Sequence, residues 1–498
     1  MEIPWEKMEQ PLQGLPVDTA NKVSVRREAI PLVFVPGIMG SRLRLAGSDG
    51  QGSNAQGLPN LRWDTDTGWL LGNLALRGAA RRKALVIGDA FDPDYLEADF
   101  ASPPADGERS VIRLYDPVLQ ALKNHPWGAL EKVFSFPVYA FGYNWTGDTA
   151  EAGRKLAERI TQIKSEEQAR IGRCEKVILV THSMGGLVAR AACHLAGAEG
   201  DVLGIVHGVQ PAAGSPAAYW RIKGGFEGGD FKSVATSYIL GSNGRETTVI
   251  LGNSIGGLQL LPNKHYVLND GVSRGWLQAQ GADGAALFKP KPEGGNPYAE
   301  IYAVPADVAR PETGNPSGNA WWGLVDRDLL RPERPDDADG DAAILATMGE
   351  AVDVWTSYLG LLAKAEAFHD ALGTYTHPKT YYFWGTGHAT AETVRFEGTS
   401  NWVRSDPYAT RSFRGFYRDR DGSDMQAVLQ APDGGGDGTV PASSGQFMGW
   451  KPADDPPPLP QALGVGHQGA YDDGAAQAFA CSAIVALAAL RYHAAKGG

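Results

Sequence analysis

Cysteine is scarce in this chain: Cys174, Cys193 and Cys481 stand far apart among 498 residues. Three scattered thiols, with no Cys-x-x-Cys pair, exclude a disulfide-built scaffold and give no metal-ligand spacing. Positive charge is also short. Asp and Glu outnumber Lys and Arg by 57 to 46, for a net charge of −11. Without a basic face, nucleic acid is excluded as a partner. The same deficit disfavours electrostatic docking on anionic lipid and leaves apolar insertion as the route to transient membrane-surface contact. Long apolar runs are missing: the longest, from Ala478 to Leu490, is about 13 residues where a bilayer span needs about 20. The opening MEIPWEKMEQ has no basic stretch followed by an apolar one. The expectation is a chain cytoplasmic as translated, with export that reads no N-terminal signal left open.

What is present is ordinary for a globular protein: 43% apolar and 21% charged residues. Glycine is the exception, at 63 residues, roughly twice its usual share and without a collagen period. Many turns around a packed framework follow. At about 150 residues per domain, the length suits two to three units or one large α/β domain with insertions.

Residues 1–28 read as a polar N-terminal arm. IPLVFVPG (30–37) is a short β-branched run of the kind that is buried on both faces of a parallel sheet. VFSFPVYAFGYNW (133–145), KVILVTHS (176–183) and VLGIVHGVQ (202–210) predict further strands. Between them, Asp148 or Thr149 can cap a helix carrying Leu156, Ile160 and Ile163, and GGLVARAACHLAG (185–197) reads as another. Strand and helix in alternation mean parallel βαβ units, hence an α/β fold. The rhythm stops after residue 216 for about 160 residues, a length typical of a cap placed over a site by strand-end loops. Within that stretch Ile344, Met348, Val352, Trp355, Leu359 and Leu362 predict a long amphipathic helix. The strand pattern resumes at TYYFWGTG (380–387). The expected division is an arm at 1–28, a core at 29–216, a cap at 217–379 and the rest of the core at 380–498.

The strongest chemical signal is VILVTHSMGG (177–186). A buried strand runs into His182-Ser183-Met184-Gly185-Gly186 and then into a helix, as a nucleophile elbow does. Such an elbow needs small residues two before and two after the Ser; Gly185 meets this and Thr181 departs from it. A nucleophilic Ser needs a His base, and the His needs an acid that sets its tautomer. In the order Ser, acid, His, the candidates are Asp437 in GDGTV (436–440) and His467 in a Gly-flanked loop before the last helix. Asp433 is the second choice of acid, while His493 reads as solvent-exposed. Two amides should hold the oxyanion: that of Met184, just after the nucleophile, and that of Ile38 in VPGIMGS (35–41), with Met39 second. The loop at 35–41 has neither the GKS/T nor the GxGxxG of a phosphate cradle. No cofactor and no metal is expected.

PLVFVPGIMGSRL (31–43), FGYNW (141–145), THSMGGLVAR (181–190), PAAGS (211–215), YYFWGTGHAT (381–390), GDGTVP (436–441) and VGHQGAYDD (465–473) occur in this order. Together they resemble the lecithin:cholesterol acyltransferase-like branch of the α/β-hydrolases, including its bacterial lipases and esterases. The matches run from about residue 30 to the end in clusters, and the cap resembles little beyond LLPNKHY (260–266). Asn144 stands where that branch often has Asp in a Tyr-Asp-Trp motif. The resemblance implies acyl-ester chemistry at Ser183 on a lipid or other hydrophobic ester, by hydrolysis or by transfer to an alcohol. It also brings in antibacterial lipases delivered by type VI secretion, with an immunity or secretion-apparatus partner.

Weaker signals are the apolar loops at Trp63, at Trp69-Leu70-Leu71 and at Trp321-Trp322, which suit either an acyl groove and bilayer edge or plain packing. Asp337, Asp339 and Asp341, and Asp419, Asp421 and Asp424, alternate like calcium loops but lack the Gly and Glu that an EF-hand needs.

Overall fold

The apolar runs pair into one sheet. In the computed structural model, Leu32–Val35 (β1), Val138–Ala140 (β2), Val177–His182 (β3), Val202–Gly208 (β4), Thr380–Gly385 (β5) and Gln461–Leu463 (β6) lie in the order β6–β5–β4–β3–β1–β2. Every neighbouring pair is parallel, with Ile178 opposite Leu32 and Thr181 opposite Val35. The structure describes residues 2–4, 24–45, 62–63, 96–98, 111–226, 240–241, 244–266, 275–280, 296–306, 322–330, 353–399, 414–418, 424–429, 434–447 and 461–496. Most of the arm, Trp69 to Leu71, Trp321, Ile344, Met348, Val352, Asp433 and the Asp residues at 337, 339, 341, 419 and 421 lie outside these.

Period-two alternation divides the strand side chains between two cores. Val33, Val35, Val177 and Leu179 face one, and Leu32, Phe34, Ile178 and Val180 face the other. Each such fully buried aliphatic side chain contributes about 1.5–3 kcal/mol. The helices are Asp116–Asn124 (α1), Thr149–Ile171 (α2), Gly185–His194 (α3), Pro216–Gly224 (α4), Val354–Leu372 (α5) and Gly474–Lys496 (α6). α2 and α3 bury Leu156, Ile160, Ile163 and Val188 in the first core, while α1 and α6 bury Val118, Leu122, Ile484 and Leu487 in the second. Asp148 is the N-cap of α2, accepting from the Ala150 amide at 3.0 Å, and Gly172 ends the helix at φ 97°. This is an α/β fold with a parallel central sheet flanked by helices on both faces.

Two expectations change. The segment 133–145 is two short strands, Phe134–Ser135 and β2, because Pro137 between them has no N–H for a continuous ladder. α6 extends beyond the apolar run read at 478–490 and, by length and composition alone, is long and apolar enough to cross a membrane. Its inner face nevertheless packs on the sheet, with Leu487 against Gly204 of β4. Of the helix expected through Ile344 to Leu362, the part from Val354 on is described, with the Asp353 side chain accepting at its start, and Ile344, Met348 and Val352 lie outside the described residues.

Between α4 and α5 the described pieces are short: Gly244–Leu251, Ile255–Leu258, Tyr298–Tyr302 and Arg327–Leu330. Their apolar residues Leu258, Tyr298 and Tyr302 join Tyr358 and Leu362 of α5 in the first core. Leu277–Gln280 pairs with Val394–Thr399 in a separate four-stranded sheet completed by Asp424–Leu429 and Arg414–Arg418. Trp322 is half-buried against the first core, and its carbonyl accepts the Tyr219 hydroxyl.

Candidate active site

β1 and β3 are neighbours, but the chain leaves β1 toward the edge strand β2 and leaves β3 toward β4. At such a reversal the loops after the two strands open side by side, leaving a crevice at their carboxyl ends. β1 runs into the loop at 36–40 and β3 into Ser183. Ser183 has φ 51°, a left-handed conformation that a side chain adopts at a cost of about 1–3 kcal/mol. Its amide donates to the Gly208 carbonyl at 2.9 Å, which anchors the turn to β4. Gly185 is required by close approach: a Cβ there would stand 2.3 Å from the Val35 carbonyl oxygen and 2.5 Å from that of Pro36. Thr181 fits where a small residue was expected because its hydroxyl turns toward β4, 2.8 Å from His207 Nδ1.

His467 sits in the loop between β6 and α6, its amide donating to the Asp437 carbonyl at 2.8 Å. Its Nδ1 lies 2.7 Å from Asp437 Oδ2, and its Nε2 lies 2.8 Å from Ser183 Oγ. Asp437 follows the short strand Gly434–Gly436 and is buried. Its other oxygen, Oδ1, accepts the amides of Thr439 at 2.9 Å and Val440 at 2.6 Å. A carboxylate only accepts, so His467 Nδ1 carries the proton and Nε2 presents a lone pair to the Ser183 hydroxyl. The structure therefore brings Ser183, His467 and Asp437 into one hydrogen-bonded line. His493 is exposed on α6.

The loop after β1 closes the other side. A Cβ at Gly37 would stand 3.0 Å from Ser183 Cβ and 2.8 Å from His182 Nδ1, so only glycine lets this loop lie against the elbow. Among the described residues, neither the Ile38 nor the Met184 amide donates to a protein acceptor. Ile38 follows Gly37 in the loop that lies against Ser183, and Met184 directly precedes α3, whose first turn carries partial positive charge. Met39 holds φ 62° in the same loop. The FGYNW segment braces it: the Tyr143 hydroxyl donates to the Pro36 carbonyl at 3.0 Å, and the Tyr143 amide to Ser41 Oγ at 2.9 Å. Asn144 Oδ1 accepts the Thr146 amide at 3.0 Å and hydroxyl at 2.7 Å, closing a local turn.

Two residues at this site escaped sequence reasoning. His182 Nδ1 lies 3.0 Å from the Tyr115 hydroxyl, and its Nε2 lies 2.7 Å from the His467 carbonyl. Burial, aided by the nearby His467, pushes the His182 imidazole down to about 3, so it is neutral at ordinary pH. Its place directly before the nucleophile was the available signal; Tyr115, 67 residues earlier than His182, gave none. No group of three or more His, Cys, Asp or Glu side chains among the described residues could hold a metal ion. All three cysteines are buried free thiols.

A parallel sheet with a Ser elbow at its switch point is the arrangement of the α/β-hydrolase class. Residues 141–224 match the family described as PGAP1-like alpha/beta domain. No curated protein matches the chain significantly. Among solved structures, a chain of the Tle4–Tli4 complex is 24% identical, with a TM-score of 0.69 over 93% of this chain and 99% of that one. This likeness extends the shared fold over nearly the whole length. Phospholipase PlaB from Legionella pneumophila is 13% identical, covering 64% of this chain and 77% of that one, but its TM-score of 0.19 supports no comparison.

Proposed function

We propose that the chain is a serine-dependent carboxylic ester hydrolase of the lipase or phospholipase kind, acting through an acyl-enzyme on Ser183. The single observation that carries this reading is the line of hydrogen bonds from Ser183 Oγ through His467 to Asp437. In this mechanism His467 Nε2 takes the Ser183 proton as Oγ attacks the ester carbonyl carbon. Asp437 holds the imidazolium, and the Ile38 and Met184 amides receive the oxyanion. Collapse breaks the ester C–O bond, and the leaving alcohol takes the proton from Nε2. Water, deprotonated in turn by His467, then attacks the acyl-enzyme and releases the acid and Ser183. Ile38 and Met39, in the loop beside Ser183, are half-buried apolar residues, a composition that suits a hydrophobic acyl group.

Transfer of the acyl group to an alcohol, as in the lecithin:cholesterol acyltransferase-like branch, uses the same intermediate and differs only in the acceptor. In our reading residues 217–379 form the cap over this site. The likeness to a chain found in the Tle4–Tli4 complex adds a second protein to the proposal: an immunity partner of a type VI secretion effector.

Ser183→Ala tests the reading. It should lower turnover of a p-nitrophenyl ester by about 10⁴-fold or more while the protein stays folded. Mass spectrometry should find a fluorophosphonate adduct on Ser183 in the parent. Activity within about tenfold of the parent would overturn the assignment. Product analysis with mixed lipids and an added alcohol separates hydrolysis from transfer.

A further inference from the structure

His182 lies between the loop that carries the base and the loop that carries one oxyanion amide. Its Nε2 faces a carbonyl oxygen, that of His467, at 2.7 Å. A carbonyl only accepts, so Nε2 bears the proton and Nδ1 is an acceptor. The Tyr115 hydroxyl, 3.0 Å from Nδ1, must therefore donate to it. The Tyr115 oxygen is then left to accept the Gly37 amide at 3.1 Å. One tautomer and one hydroxyl orientation satisfy all three contacts.

We infer that Gly37 N–H, Tyr115 O–H and His182 Nε2–H form a one-directional relay in which Tyr115 and His182 are positioning residues for ester cleavage. The relay ties the Ile38 amide and the His467 imidazole to β3 at a fixed spacing from Ser183 Oγ. It rests on the reading of Ser183, His467 and Asp437 given above. Tyr115 and His182 do not touch the reacting atoms; they act through the residues on either side. Tyr115 and His182 are buried and pack on aromatic neighbours: Tyr115 on Phe34 at 4.9 Å, and His182 on Tyr471 at 6.2 Å, between ring centroids. A buried chain of polarised hydrogen bonds has no water to substitute for a lost member, so breaking one link releases both loops. The groups that face His182 are Tyr115, His467, Asp437 and Tyr471. When His467 takes the Ser183 proton, its positive charge opposes any second proton on His182, so the direction of the relay persists through the reaction.

The experiment compares the parent with Ser183→Ala, Tyr115→Phe, His182→Asn, His182→Gln and the Tyr115→Phe/His182→Asn double variant on a soluble p-nitrophenyl ester. Asn keeps an acceptor near the position of Nδ1 and removes the donor to His467; Gln restores a donor near the position of Nε2. Tyr115→Phe and His182→Asn should each lower kcat by about tenfold to a hundredfold, with KM within about threefold. His182→Gln should recover part of the loss seen with His182→Asn. Because both substitutions break one relay, the double variant should lose no more than about threefold beyond the worse single variant. If kcat for Tyr115→Phe stays within about threefold of the parent, or the two losses multiply, the relay is overturned. An inactive Ser183→Ala beside an unaffected Tyr115→Phe sinks the relay alone; an active Ser183→Ala sinks the reading of the site. Should His182→Asn fail to fold, Tyr115→Phe, which removes one oxygen from a packed ring, decides through its kcat and KM alone.

Discussion

The elbow region, residues 177–194, and the stretch between α4 and the end of α5 satisfy their own backbone by different means. In the elbow, strand and helix satisfy the backbone, and the interior is aliphatic: Val177, Leu179, Leu187 and Val188 are all fully buried. In the second region the backbone is irregular, and buried side chains reach out to satisfy its carbonyls. Tyr302 donates to the Pro262 carbonyl at 2.7 Å, Tyr358 to that of Tyr302 at 2.8 Å, and His369 Nε2 to that of Gln259 at 2.8 Å. Lys223 Nζ caps the Gly323 carbonyl in the same way. An irregular segment can be buried only if each of its carbonyls finds a donor, and here tyrosine hydroxyls supply several. Shape fixes the elbow's backbone, to which Thr181, His182 and Arg190 add side-chain hydrogen bonds, whereas in the later region such bonds hold the irregular backbone itself.

That contrast is open to attack. The largest effect should come from adding a methyl where shape rules: Gly185→Ala drives a Cβ into the Val35 and Pro36 carbonyls. Overpacking of this kind costs about 3 kcal/mol. Urea denaturation should show a lower midpoint or no cooperative transition, and near-parental stability would mean that the elbow is looser than described. In the other region the same methyl-scale economy runs in reverse. Tyr302→Phe removes one oxygen and leaves the Pro262 carbonyl without its donor, for a loss of about 1–3 kcal/mol. Turnover of a soluble ester by the folded protein should stay within about twofold. A loss of turnover without a loss of stability would tie this tyrosine to the site.

The smallest effect per step is one of pH, and it draws on both regions. His182 in the elbow and His369 in α5 are buried, and burial pushes them down to about 3 and about 4. An unfolded chain binds these protons below its ordinary histidine value of about 6.5. The unfolded state therefore holds more protons than the native state as pH falls from there, and native stability declines. Each histidine contributes a slope of about 1.4 kcal/mol per pH unit until its folded value is reached. Melting temperatures measured from pH 7 to 4.5 should fall, and His369→Asn should make that fall shallower without moving kcat. An unchanged slope in His369→Asn would mean that this ring is accessible to protons in the folded state.

The sequence by itself determined the parallel sheet, the elbow and the three aligned side chains. These depend on local rules: β-branched runs, a Ser between a strand and a glycine, and an acid and a His in the order the sheet demands. Pro137 was visible too, although its effect, dividing one expected strand into two, follows from a missing N–H that a search for apolar runs does not weigh. Tertiary structure alone decided the rest. Thr181 is tolerated because His207 waits on the next strand, and α6 stays with the sheet because Gly204 admits Leu487. Tyr115 reaches His182 across 67 residues of chain. The tyrosine-held stretch before α5 was equally illegible, since each of its bonds joins a side chain to the carbonyl of a distant residue. Periodicity records which face a residue turns inward; it carries no record of which carbonyl will be waiting there.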